Sequence, residues 1–102
     1  MKMGRTLMNG TEIVLYESTE IGEYHGYIFV NNLAGTDSID FKFYVRNPED
    51  DTYYLADALT VTGVQATPVV RVSSIVNKSG VKISATQTVG TYRNIDHAWF
   101  KK

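Results

Sequence analysis

An all-β fold, an antiparallel sandwich or barrel of seven or eight short strands, is what this sequence predicts. Three observations carry the expectation. Ile39, Phe41, Phe43 and Val45 recur at spacing two, with Asp40, Lys42, Tyr44 and Arg46 between them. Successive strand side chains point to opposite faces, so such a run has one apolar face and one wet face. Turn residues punctuate the chain at intervals of about 8 to 12 residues, the spacing of a sandwich or barrel, and no segment makes a convincing helix. A chain of 102 residues supports one domain, which can bury roughly two-thirds of its unfolded surface.

Residues 1–9 hold all three methionines, Met1, Met3 and Met8, with Lys2 and Arg5. They are expected as an N-terminal arm, either frayed or docked on a neighbouring subunit, with residues 10–102 forming a single β-sandwich domain. Thr11 to Glu17, with Ile13, Val14, Leu15 and Tyr16 in succession, is short and β-branched and predicts the first strand. Tyr27, Ile28, Phe29 and Val30 form a continuous apolar run. It suits a strand covered on both faces, or one whose Tyr27/Phe29 side meets another chain. Residues 34–38 supply turn chemistry, with Gly35 free to take positive φ. The stretch from Tyr24 to Asn47 is therefore expected as a hairpin.

Asn47, Pro48, Glu49 and Asp50 predict the next turn, Pro48 presetting φ at its second position. Thr52 to about Ala56 is expected as a strand, followed by a separate short alternation at Thr60, Val61 and Thr62. Pro68 precedes a strand from Val69 to Val76. Asn77, Lys78, Ser79 and Gly80 form a turn by composition. Val81, Ile83 and Ala85 alternate with Lys82, Ser84 and Thr86. The last strand, Asn94 to Lys101, places Ile95, His97 and Trp99 on one face and Asp96, Ala98 and Phe100 on the other. Gly35-Thr36 and Gly90-Thr91 echo each other between strands.

The formal net charge of −1 provides no general attraction to nucleic acid or an anionic membrane. No apolar run approaches the roughly 18 to 20 residues needed to span a bilayer, and the N-terminus lacks the apolar stretch of a secretory signal. The absence of cysteine excludes disulfides, cysteine-ligated zinc and thiol catalysis. His25 and His97 belong to no metal-ligand spacing. A triad drawn from Ser38, His25 and Asp40 has no sequence support beyond the residue types. The acidic stretch Glu49-Asp50-Asp51, with Asn47 and Asp57, offers oxygen ligands for a cation but also suits a solvated turn. Lys42, Tyr44 and Arg46 share a strand face that could stack single-stranded nucleic acid, though Asp40 lies on the same face. No catalytic group, cofactor or metal is expected.

Several short stretches taken in order carry a resemblance. They are residues 11–18; Gly26, Tyr27, Ile28, Phe29 and Val30 leading to Ala34-Gly35-Thr36; residues 39–45; Thr52-Tyr53-Tyr54-Leu55; Gly80-Val81-Lys82-Ile83; and Val89-Gly90-Thr91. Their succession resembles the small β-sandwich structural proteins of tailed phages and related viruses, of the capsid decoration or minor head type. The chain departs from that pattern at Tyr53-Tyr54, where a Trp is common, and at Tyr92-Arg93, where a Ser-Pro is common. The resemblance implies a jelly-roll-like sandwich, a virion location and no catalytic activity. It also implies partners that are the major capsid protein and copies of the chain itself.

The residues expected at such a contact are Met3, Arg5, Met8, Tyr27, Phe29 and Tyr44, because aromatic, methionine and arginine side chains are enriched at protein interfaces. The alternative is a carbohydrate-binding module using Tyr53, Tyr54, Tyr92 and Trp99 as stacking platforms.

Overall fold

The computed structural model describes residues 2–77 and 79–101, the side chains of 73–77 excepted. Alternating runs become eight strands: β1 (Lys2–Leu7), β2 (Ile13–Ser18), β3 (Gly22–Phe29), β4 (Ser38–Asn47), β5 (Thr52–Thr62), β6 (Val69–Asn77), β7 (Val81–Val89) and β8 (Asn94–Lys101). They form two four-stranded antiparallel sheets, ordered β1-β8-β3-β6 and β2-β7-β4-β5. Strand one pairs with eight, two with seven, three with six and four with five. This nested pairing is a ribbon rolled over on itself, the topology of a jelly roll.

Every connection except β4–β5 passes from one sheet to the other. The expected β3–β4 hairpin is therefore not formed: β3 pairs β6 and β8, and β4 pairs β5 and β7. Alternation fixes which face of a strand is apolar but does not name its partner. The link between β3 and β4 is long enough to cross the roughly 10 Å between packed sheets. Asp37 secures the crossing. Its carboxylate accepts from the Ala34 amide (3.1 Å), the Thr91 amide (3.0 Å) and Arg93 Nε (2.6 Å), while its carbonyl accepts from the Gly63 amide at 2.8 Å. The echoing Gly-Thr turns are thus two sheet-crossing corners tied together at one end of the molecule. Gly90, at φ +93°, has room only for hydrogen there, because a Cβ would lie 1.9 Å from Asp37 Oδ1.

The inward faces make one core. Ile28, Ile39, Phe41, Ile83, Ile95 and Trp99 are all at most 2% exposed, and burying each such side chain contributes roughly 1.5–3 kcal/mol. Trp99 stacks on Tyr16 with ring centroids 5.3 Å apart. That stacking needs the β2 bulge between Val14 and Tyr16, which turns both Leu15 and Tyr16 inward. Residues expected as an arm lie along β8 as the edge strand β1; Met1 of that segment and Lys78 of the expected 77–80 turn lie outside the described residues. The expected break within residues 52–62 is absent: β5 is continuous, with a bulge at Ala56.

Candidate interaction surface

The outward faces of the two sheets differ in chemistry. On the β2-β7-β4-β5 sheet the outward groups satisfy one another. Thr60 Oγ1 donates to Asp40 at 2.7 Å, and the Tyr44 hydroxyl donates to Glu12 Oε2 at 2.7 Å. The Ser84 hydroxyl also donates to Glu12. The Ser84 and Tyr44 hydroxyls hold Glu12 below the ordinary carboxylate range. Lys82 Nζ sits 4.7 Å from the Tyr44 ring and 4.8 Å from the Tyr53 ring. A face of this kind is content with water.

The outward face of the β1-β8-β3-β6 sheet is apolar at its centre. Antiparallel register sets Met3, Ala98, Tyr27 and Arg71 in one cross-strand row and Arg5, Asp96, Phe29 and Val69 in the next. Phe100, opposite His25, begins a third row. Tyr27 packs 6.5 Å from Phe29 and edge-on to Phe100 at 6.2 Å. Met3 is 70% exposed, Tyr27 39% and Val69 39%. The rim is charged. Arg5 Nε and Nη2 grip the two Asp96 oxygens at 2.6 and 3.1 Å, and His25 Nε2 lies 2.7 Å from Glu23.

Four of the six expected contact residues, Met3, Arg5, Tyr27 and Phe29, therefore meet on one face, although they come from chain positions up to 26 apart. Tyr44 does not join them; it lies on the other sheet. Met8 is a correction. It is 1% exposed and part of the core, its amide bonded to the Arg93 carbonyl at 3.0 Å, so it offers nothing to a partner. Phe100, Ala98 and Val69 complete the patch. A phenylalanine at an alternate, wet-face position of the last strand was the available signal for Phe100.

The other candidates separate in space. His25 lies on the outer face, whereas His97 is buried, accepting from Trp99 Nε1 at 2.8 Å through Nδ1. That bond leaves the ring proton on Nε2, 3.0 Å from Thr6 Oγ1. Burial pushes the His97 imidazole below its ordinary value. In the acidic turn, Asp50 accepts from the Thr52 amide and the Tyr54 hydroxyl, and Asp51 pairs with Arg46 at 2.9 Å. Among the described residues, no three acidic or histidine side chains gather as metal ligands. The aromatics proposed for glycan stacking share no platform. Trp99 is in the core, Tyr53 and Tyr54 are sequence neighbours with opposite facing, and Tyr92 stands at the other end of the molecule beside Gly10.

No protein-family model matches the chain, and no curated protein matches it. Among solved structures, the crystal structure of PirA superposes with a TM-score of 0.63 at 12% identity, covering 98% of this chain and 93% of that one. The crystal structure of the infectious bursal disease virus VP2 subviral particle superposes with a TM-score of 0.54 at 11% identity, covering 95% of this chain. This chain spans 28% of VP2. Identities this low establish a shared fold, an antiparallel β-sandwich found in a viral particle protein among others. No helix among the described residues is long and apolar enough to cross a membrane.

Proposed function

We propose that this chain is a non-enzymatic structural component of a virion that docks through the outward face of β1, β8, β3 and β6 onto the major capsid protein. One observation carries the reading: that face is aromatic at its centre and charged at its rim, while the opposite sheet satisfies its own polar groups. Tyr27, Phe29 and Phe100 supply rigid apolar area, the usual source of binding energy at an interface. Arg5 with Asp96 and His25 with Glu23 would fix register around it; exposed polar pairs of this kind set orientation more than they add stability. The sandwich shared with VP2 supports the virion part of the reading, as does the order of motifs in the sequence.

Co-sedimentation with capsid shells of the virus that encodes the chain tests it. The chain is expected to pellet with the shells. Tyr27→Lys combined with Phe29→Ala is expected to weaken that binding roughly tenfold or more while leaving the far-ultraviolet spectrum unchanged. Equal binding by the variant, or no binding by the natural chain, overturns the proposal.

A further inference from the structure

His97 is the histidine turned into the core, 7% exposed, and both of its ring nitrogens are committed. Nδ1 accepts from Trp99 Nε1 at 2.8 Å, and Nε2 lies 3.0 Å from Thr6 Oγ1. This arrangement needs a neutral ring. An imidazolium carries a proton on both nitrogens, and its Nδ1–H would point at the Trp99 N–H, donor against donor. Trp99 has no second place to go. It stacks on Tyr16, and a Cβ on Gly26 would already lie 2.2 Å from its ring.

The surroundings do not compensate a charge there. On β8, Asp96 favours the charged ring, but its carboxylate is gripped by Arg5 on the outer face. On β1, Lys2 disfavours it. The β3 residue in register is Ile28, fully buried and apolar. From β2, Tyr16 stacks on the neighbouring Trp99 and is uncharged at neutral and acid pH, burial raising its hydroxyl further. Taking up a proton therefore requires the ring to reach water.

The layer between the ring and water is β1. Gly4 lies opposite His97, so close that a Cβ would sit 2.6 Å from Cε1, and Thr6 bonds Nε2. β1 is an edge strand paired with β8 alone, and none of its six residues is buried. Lifting it costs one backbone ladder and no core side chain, an opening at the low end of a fold's stability range. The lift ends at Met8, which is 1% exposed and whose amide bonds the Arg93 carbonyl at 3.0 Å.

We propose that β1 is a proton-released flap: a solvent proton taken up at His97 Nδ1 frees β1 from β8, with Met8 as the fixed hinge, while the rest of the sandwich stays folded. In the open form the ring regains its ordinary value of about 6.5, so each pH unit below that favours opening by up to about tenfold. Met3 and Arg5 ride on β1, so an open flap dismantles one side of the proposed docking face; that consequence alone rests on the docking reading.

Hydrogen exchange of the free natural chain, read by mass spectrometry and corrected for intrinsic rates, tests the flap. Protection of the β1 amides bonded to β8 is expected to fall by about tenfold or more, at most roughly thirtyfold, between about pH 7.5 and pH 5. That exchange is expected to stay insensitive to about 1 M urea, because a local opening exposes little surface, whereas β4 and β7 amides respond to urea. His97→Gln keeps an acceptor for Trp99 and a donor for Thr6 but cannot titrate, and is expected to make β1 protection flat with pH. Protection of β1 that is unchanged at pH 5, or that tracks β4 and β7 in urea, overturns the flap on the natural chain alone. The same fall persisting in a folded His97→Gln variant overturns the assignment to this ring. No shells are present in these measurements, so failure of the flap and failure of docking are read separately.

Discussion

Trp99 and Gly26 show how single residues set the shape of the core. They face each other across β8 and β3, and a Cβ on Gly26 would lie 2.2 Å from Trp99 Cε3 and 2.9 Å from the Ala98 carbonyl oxygen. The indole is 2% exposed and stacked on Tyr16, so it has nowhere to retreat. Gly26→Ala is expected to cost about 1–3 kcal/mol, the usual penalty of overpacking, measured as a lower urea midpoint at unchanged slope. A glycine in the middle of a strand is a visible signal of close approach. Its partner is not visible, because the contact depends on the β3–β8 pairing. Asp37 shows the same limit. Sequence marks it as a turn residue; only the fold makes it the carboxylate that binds two corners and Arg93.

At the scale of elements, β1 is held to β8 by backbone pairing and by His97. Gly4 lies opposite His97, where a Cβ would sit 2.6 Å from Cε1, and Thr6 bonds its Nε2. The buried imidazole titrates below its ordinary value, burial being the main cause. Its depressed folded-state value means the unfolded chain takes up the proton first. The stabilising contribution is full above the unfolded value of about 6.5 and is lost as pH falls from there through the folded value. The melting temperature is expected to drop between about pH 7 and pH 5, and His97→Gln is expected to remove much of that drop. A melting temperature flat across this window contradicts the assignment. Asp37, held low chiefly by the Ala34 amide and then by Arg93, loses its contribution only at more acidic pH, below the ordinary carboxylate range.

The strands were largely legible because their alternation is local: β4 and β8 fall where Ile39 to Val45 and Ile95 to Trp99 place them. Their pairing was not, since period-two patterning is silent about partners. β1 was missed as a strand because its glycine and charges look like a terminus, and its order comes from β8 rather than from its own residues.

At the scale of the molecule, eight strands in a nested roll turn one sheet's outward face into an aromatic surface and leave the other polar. Sequence reached four residues of that surface through the continuous Tyr27–Val30 run and the side chains of residues 1–9. It could not reach their assembly, which requires β1, β8, β3 and β6 to lie side by side. Of the two options for Tyr27 and Phe29, coverage on both faces by the chain itself does not hold: β3 is an interior strand of its sheet, but its outer side is half-exposed, and contact of that side with another chain belongs to the proposal. The proposed virion role rests on that side being covered in the assembled particle. Hydroxyl-radical footprinting of the chain, free and bound to capsid shells, reads this directly. Protection concentrated at Met3, Tyr27, Phe29 and Phe100, with Tyr44 and the rest of the polar sheet unchanged, is the predicted result; protection of the polar sheet with Tyr27 and Phe29 still reactive would contradict it.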